Sequence, residues 1–128
     1  MSPRIHFVSD RTNKFHARPI VVDGERFDST GEASRWGELR YLEKAGQIFA
    51  LRRQVSFALH AGDRPDLKTV GTYVADFTYD EPFSVGQADS CRRVVEDFKG
   101  LDTPLSRWKR KHLELEYGLI VKVTHASR

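Results

Sequence analysis

The sequence predicts an α/β domain, a small mixed sheet with helices packed on it. Strand-like apolar segments, two stretches with helix start and stop signals, and a short hairpin ahead of them predict this class. Ile20-Val21-Val22, an Asp23-Gly24 turn and a return to Phe27 read as the hairpin. Ser29 is a good N-cap with Glu32 three residues on, as in a capping box, and Gly46 after Ala45 is a natural stop. Ile48 to Leu59 reads as a strand with Leu51, Val55, Phe57 and Leu59 on one parity. Residues 60–69 read as a turn-rich loop, Val70 to Tyr79 as a second strand, residues 80–90 as another loop and Arg92 to Lys99 as a third strand. Thr103-Pro104 pairs an N-cap with the favoured first-turn proline and opens a helix to about Tyr117. Leu119 to Thr124 supplies the last strand, giving hairpin–α–β–β–β–α–β.

The chain has 128 residues, a length that suits one core. Residues 1–19, basic and polar, are expected to form a flexible arm, and residues 20–128 the folded domain. No apolar run approaches the roughly 20 residues of a membrane span, and no signal-peptide stretch opens the chain. One cysteine, Cys91, excludes an internal disulfide framework, so a reducing, cytoplasmic setting (bacterial or phage-infected) is expected, with no membrane partner. The basic excess is modest, 21 Lys and Arg against 18 Asp and Glu, but it is clustered. Arg4, Arg11, Lys14 and Arg18 lie in the arm, and Arg107, Lys109, Arg110 and Lys111 fall within five positions. Clusters of this kind suit a polyanion such as nucleic acid, although a solvated outer face reads much the same. On the second helix Leu105, Trp108 and Leu115 are expected to face inward, Arg107, Arg110 and Lys111 outward, and Lys109 at the border.

The chemistry concentrates in Val94-Val95-Glu96-Asp97-Phe98-Lys99-Gly100. Strand alternation points Asp97 and Lys99 the same way and Glu96 the other, which removes Glu96 from the ligand set. A carboxylate can hold a divalent cation, and a neighbouring lysine can steady developing negative charge. Asp66-Leu67-Lys68 repeats the triplet after Pro65, but no apolar strand positions it. Asp76 shares parity with Val74 and Thr72, as Asp97 does with Val95. If the two strands are neighbours, the carboxylates meet on one face, and such a pair repels unless a cation bridges it. Glu32, on a stripe with Trp36, Leu39 and Glu43, is carried to the same side, and capping does not exclude that role.

Phe27-Asp28-Ser29-x-x-Glu32-Ala33, Ala45-Gly46-x-Ile48-x-x-Leu51-x-x-Gln54, Ala75-Asp76-Phe77-x-Tyr79 and Val95-Glu96-Asp97-x-Lys99-Gly100 occur in this order, with Lys109-x-Lys111 and Tyr117-Gly118 after them. This ordered set, over about residues 13–120, resembles a family of small phage-encoded proteins of the PD-(D/E)XK nuclease superfamily, which includes Holliday-junction-resolvase-like members. Ala75 stands where the superfamily name places proline. The resemblance implies a restriction-endonuclease-like core with Mg²⁺ or Mn²⁺ held by Asp76, Asp97 and the Phe98 backbone carbonyl, and Glu32 as the helix acid. Lys99 would be the catalytic lysine, and the role of Gln54 stays open.

The implied activity is that of a metal-dependent DNA endonuclease, hydrolysing phosphodiesters with a metal-activated water, on branched DNA in phage recombination or processing. Lys14, Arg107, Lys109, Arg110 and Lys111 would bind the DNA backbone. A homodimer would suit a junction resolvase, which cuts two strands symmetrically. The alternative is a noncatalytic nucleic-acid-binding module that retains the fold, and an RNA substrate is equally compatible with the sequence.

Overall fold

The structure, a computed structural model, describes residues 5–7, 19–84 and 90–125. Lys14, the Arg18 end of the basic arm and residues 85–89 lie outside the described residues. The architecture is α/β: a mixed four-stranded sheet flanked by two helices, with a small antiparallel sheet at the N-terminal side.

The small sheet contains the expected hairpin. β2 (Ile20–Val22) and β3 (Glu25–Phe27) pair across the Asp23-Gly24 turn, whose two residues have φ of 51° and 81°. Positive φ at both central positions is what a type I′ turn requires, and Asp-Gly supplies it cheaply. β1 (Ile5–Phe7), within the segment read as an arm, adds to β2 as a third strand.

α1 (Thr30–Lys44) starts where the cap predicts, with the Glu32 N–H donating to Ser29 Oγ at 3.1 Å. Its end is a glycine cap: Gly46 has φ 74°, Gly46 N–H donates to Glu43 O and Gln47 N–H to Leu42 O. Leu39 is fully buried and Trp36 stacks on Phe77 with centroids 6.0 Å apart, so this helix turns the expected stripe to the sheet. Glu43, on the same stripe, accepts the Leu51 N–H at 2.9 Å.

β4 (Phe49–Ala61) and β5 (Lys68–Pro82) form a long antiparallel hairpin, and both run past their expected ends. Cross-strand ion pairs explain the extension of β5, since Asp80 meets Arg93 and Glu81 meets Arg92 on β6 (Cys91–Phe98). β6 pairs antiparallel with β5 and parallel with β7 (Val121–Thr124), which makes the sheet mixed. The order is β4-β5-β6-β7.

α2 (Pro104–Tyr117) has its predicted Thr103 cap and Pro104 start, and ends on Gly118 in the left-handed region. Its inward face differs from the expectation. Leu105, Trp108 and Leu115 are exposed, at 58, 72 and 75 %, whereas Leu113 is fully buried with Leu59, Tyr73, Ala75, Val95 and Val121. Polar side chains explain the rotation, because they reach backbone groups of the sheet. Lys109 Nζ donates to Thr72 O, Tyr117 Oη to Ala58 O, His112 Nε2 bonds His60 O, and Glu114 accepts the Val121 N–H. The Leu39, Ile48, Phe77, Tyr79 and Val94 cluster secures α1, and on β5 the two clusters divide at Asp76, between Ala75 and Phe77.

Candidate active site

Asp76 and Asp97 come together because β5 and β6 are antiparallel neighbours whose last ladder pair is Phe77 with Glu96. One residue beyond that pair the backbones stop pairing with each other and pair with the aspartates instead. The Asp76 N–H donates to Asp97 Oδ1 and the Phe98 N–H to Asp76 Oδ2, both at 2.9 Å. Each carboxylate is therefore fixed by the other strand. Glu96, of opposite parity, is fully buried and accepts Arg35 Nε of α1 at 2.7 Å.

Lys99 follows at the strand end, its Nζ 3.7 Å from Asp97 Oδ2 and its N–H donating to Thr124 O at 2.8 Å. Asp97 is 1 % exposed, and its Oδ2 has no hydrogen-bond partner among the described residues. A buried anionic oxygen without a donor is costly, and it is free to accept a cation.

Glu32 enters from the first turn of α1 and is 4 % exposed. The Glu32 N–H makes its half of the capping box with Ser29 Oγ, while the Glu32 carboxylate turns to the sheet. There Gln54 Nε2 donates to Glu32 Oε1 and to Asp76 Oδ1, at 3.3 Å each, and Arg53 Nη2 stands 3.8 Å from Glu32. Arg53 lies over the Phe27 ring at 4.0 Å, a stack that ties the hairpin to this edge of the site. The contact between Gly31 and Phe98 ties α1 to the end of β6, because a Cβ at Gly31 would overlap the Phe98 ring.

The electrostatics follow from burial. Desolvation, with Asp76 and Asp28 adding repulsion, pushes the Glu32 carboxyl up to about 7, against the opposing pull of Arg53 and the Asp28 N–H. Burial also raises Asp76 and Asp97, while the N–H groups of Phe98 and Asp76, and Lys99 beside both, pull back. Three acids thus lie near one another, with Arg53 beside Glu32 and Lys99 beside Asp97. Among the described residues, no three or more His, Cys, Asp or Glu side chains are grouped so as to hold a metal ion. Asp97 Oδ2 and the weakly held Asp76 Oδ1 fit a hard cation as donors, whereas Gln54 stands between Glu32 and Asp76.

The basic residues divide. Arg110 forms a two-pronged pair with Asp102, at 2.8 and 3.2 Å, and adds attraction to Asp97. Arg107 donates to Asp102 O and Lys109 to Thr72 O, while Lys111 is exposed beside a groove of about 660 Å³ between α2 and the β4–β5 tip. A second cleft, about 530 Å³, opens at the start of α1 and the ends of β6 and β7, lined by Gly31, Arg35, Glu38, Phe98, Lys122 and His125 and by none of the three acids. Asp66 and Lys68 lie in the exposed tip, away from the acids. Gln54, Arg53, Asp28 and Gly31 were not among the expected site residues. Gln54 and Asp28 stand in the ordered motif set without an assigned role, and for Gly31 and Arg53 the only signal is proximity to Glu32's cap and to Gln54.

No curated protein and no solved structure matches the chain. The model of one family, described as a protein of unknown function (DUF1064), matches residues 12–128, and the chain belongs to that family.

Proposed function

We propose that this protein is a metal-dependent endonuclease of restriction-endonuclease-like fold, cutting phosphodiesters in DNA. The observation that carries the proposal is the Asp76–Asp97 pair. Two buried carboxylates are locked by each other's backbone N–H groups, with Lys99 on the same strand end and Asp97 Oδ2 lacking a donor. Structural ion pairs do not need this arrangement, since a lysine or arginine between the acids would stabilise the fold better.

Asp76 and Asp97, with the Phe98 carbonyl, would hold Mg²⁺ or Mn²⁺, and Glu32 would stand behind them. A bound cation supplies Lewis-acid activation of the scissile phosphate. Lys99 directs its ammonium past Asp97 Oδ2 to the same side and stabilises the negative charge that builds on the phosphorus oxygens. Glu32, raised to about 7, can take a proton from the attacking water at neutral pH. Phe98 packs on Gly31 and so fixes the end of β6 against the first turn of α1. Lys122 in the second cleft and Lys111 on α2 would offer positive charge to the phosphate backbone, whereas Arg35 is held by Glu96 and Glu38.

The test incubates the protein with linear, nicked, flapped and four-way DNA, and with single-stranded RNA, in Mg²⁺ and in EDTA. Metal-dependent scission that Asp76→Asn and Asp97→Asn abolish, with DNA binding retained, is expected. Symmetric nicks confined to the four-way substrate would assign a junction resolvase, acting as a two-fold dimer. Binding without cleavage in every lane would replace the proposal with a noncatalytic nucleic-acid-binding module.

A further inference from the structure

We propose that Gln54 is a positioning residue that sets the cation affinity of the carboxylate site, an inference that rests on the reading of Asp76 and Asp97 as metal ligands. Two independent features of this residue point to it.

The first is backbone conformation. Gln54 has φ 54°, although it lies inside β4 between the ladder pairs Arg53 with Phe77 and Val55 with Ala75. Both neighbours of Gln54 stay in register while it is rotated into the left-handed region; Ala50, the other such residue of β4, sits at a register shift, which Gln54 does not. Glutamine does not favour that region, and no glycine or asparagine replaces it here. Strain kept in the middle of a strand is the signature of a side chain that must be aimed.

The second is what the side chain is aimed at. The amide reaches Glu32 Oε1 on α1 and Asp76 Oδ1 on β5, at 3.3 Å each. Between two carboxylates an amide must present its NH₂ group, because its carbonyl oxygen would repel both. A neutral donor suits a cation site. Lysine or arginine in this place would neutralise the acids and compete with a metal, whereas glutamine restrains their oxygens and leaves their charge intact. Groups that restrain ligating carboxylates in this way tune metal affinity, and their loss weakens it about 10- to 100-fold.

Gln54→Gly separates this role from a structural one. Glycine adopts φ 54° without strain, so Gln54→Gly should melt above Gln54→Ala while losing the same amide. Calorimetric titration with Mn²⁺ alone, on the metal-free full chain, should show affinity about 10- to 100-fold below the parent's. Gln54→Ala, which keeps the strain and lacks the amide, should show the same loss of affinity with a lower melting temperature. Parental Mn²⁺ affinity in Gln54→Gly would overturn the assignment to Gln54 and leave the metal pair standing. A Gln54→Gly variant that melts no higher than Gln54→Ala would remove the strain on which the assignment rests and overturn it as well. Absence of Mn²⁺ binding in the parent, equal to that of an Asp76→Asn, Asp97→Asn double variant, would overturn the metal reading and this inference together.

Discussion

Asp97 accepts the Asp76 N–H through Oδ1 and leaves Oδ2 without a hydrogen bond, so different substitutions there should act in opposite directions on stability. Asparagine can keep the accepting oxygen while removing one of two buried charges, and Asp97→Asn is expected to hold or raise the melting temperature of the metal-free protein. Alanine removes the acceptor and leaves a buried N–H unpaired, at about 1–3 kcal/mol. Urea unfolding of both variants checks the difference. Gly31 has an equally local requirement, because any β-carbon meets the Phe98 ring. Gly31→Ala is expected to cost about 1–3 kcal/mol as an overpacked contact. Much of that cost should disappear when Phe98 is also replaced by alanine, a coupling that a double-mutant cycle measures.

At the scale of the elements, α2 offers the sharpest contrast. Leu113→Ala is expected to destabilise by about 2–5 kcal/mol, because its side chain is fully buried against Leu59, Tyr73 and Val95. Trp108→Ala and Leu115→Ala should each stay within about 0.5 kcal/mol, since both are exposed. Urea midpoints at constant slope distinguish the two faces. Periodicity alone selects the wrong one, because Leu105, Trp108 and Leu115 are spaced as regularly as a buried stripe. The orientation is settled by Lys109, His112, Glu114 and Tyr117 bonding backbone groups of the sheet, and those partners have no sequence signature. The caps at Ser29, Thr103, Gly46 and Gly118 are local, and they are legible for that reason. The meeting of Asp76 and Asp97 is legible too, because strand parity and antiparallel neighbours suffice to place them. Gln54 is different, since its approach depends on a left-handed residue inside a strand that glutamine does not announce.

For the whole molecule, the buried acids set how stability varies with pH. Glu32 is raised to about 7 in the folded protein, from 4.5 as its ordinary value, and burial raises Asp76 and Asp97 in the same direction. A folded state with raised carboxyl pKa values binds more protons than the unfolded chain, so unfolding free energy falls as pH rises. Their contribution is fully present below the unfolded values and is lost as pH rises through the folded ones, for Glu32 between about 4.5 and 7. Asp102, paired with Arg110, is lowered and works in the opposite sense, but only at more acidic pH. In EDTA the melting temperature is therefore expected to rise as pH falls from 8 to about 5, and Glu32→Gln should flatten part of that slope. A divalent cation that binds the ionised acids must reverse the trend. At about 100 times its dissociation constant it adds about 2.7 kcal/mol where the carboxylates are ionised, and progressively less where they are protonated. Melting curves from pH 5 to pH 8, with EDTA and with Mg²⁺, should converge at the acidic end and separate at the alkaline end. The separation should vanish in the Asp76→Asn, Asp97→Asn double variant. Curves that stay parallel across the range would show that the buried acids do not meet the cation.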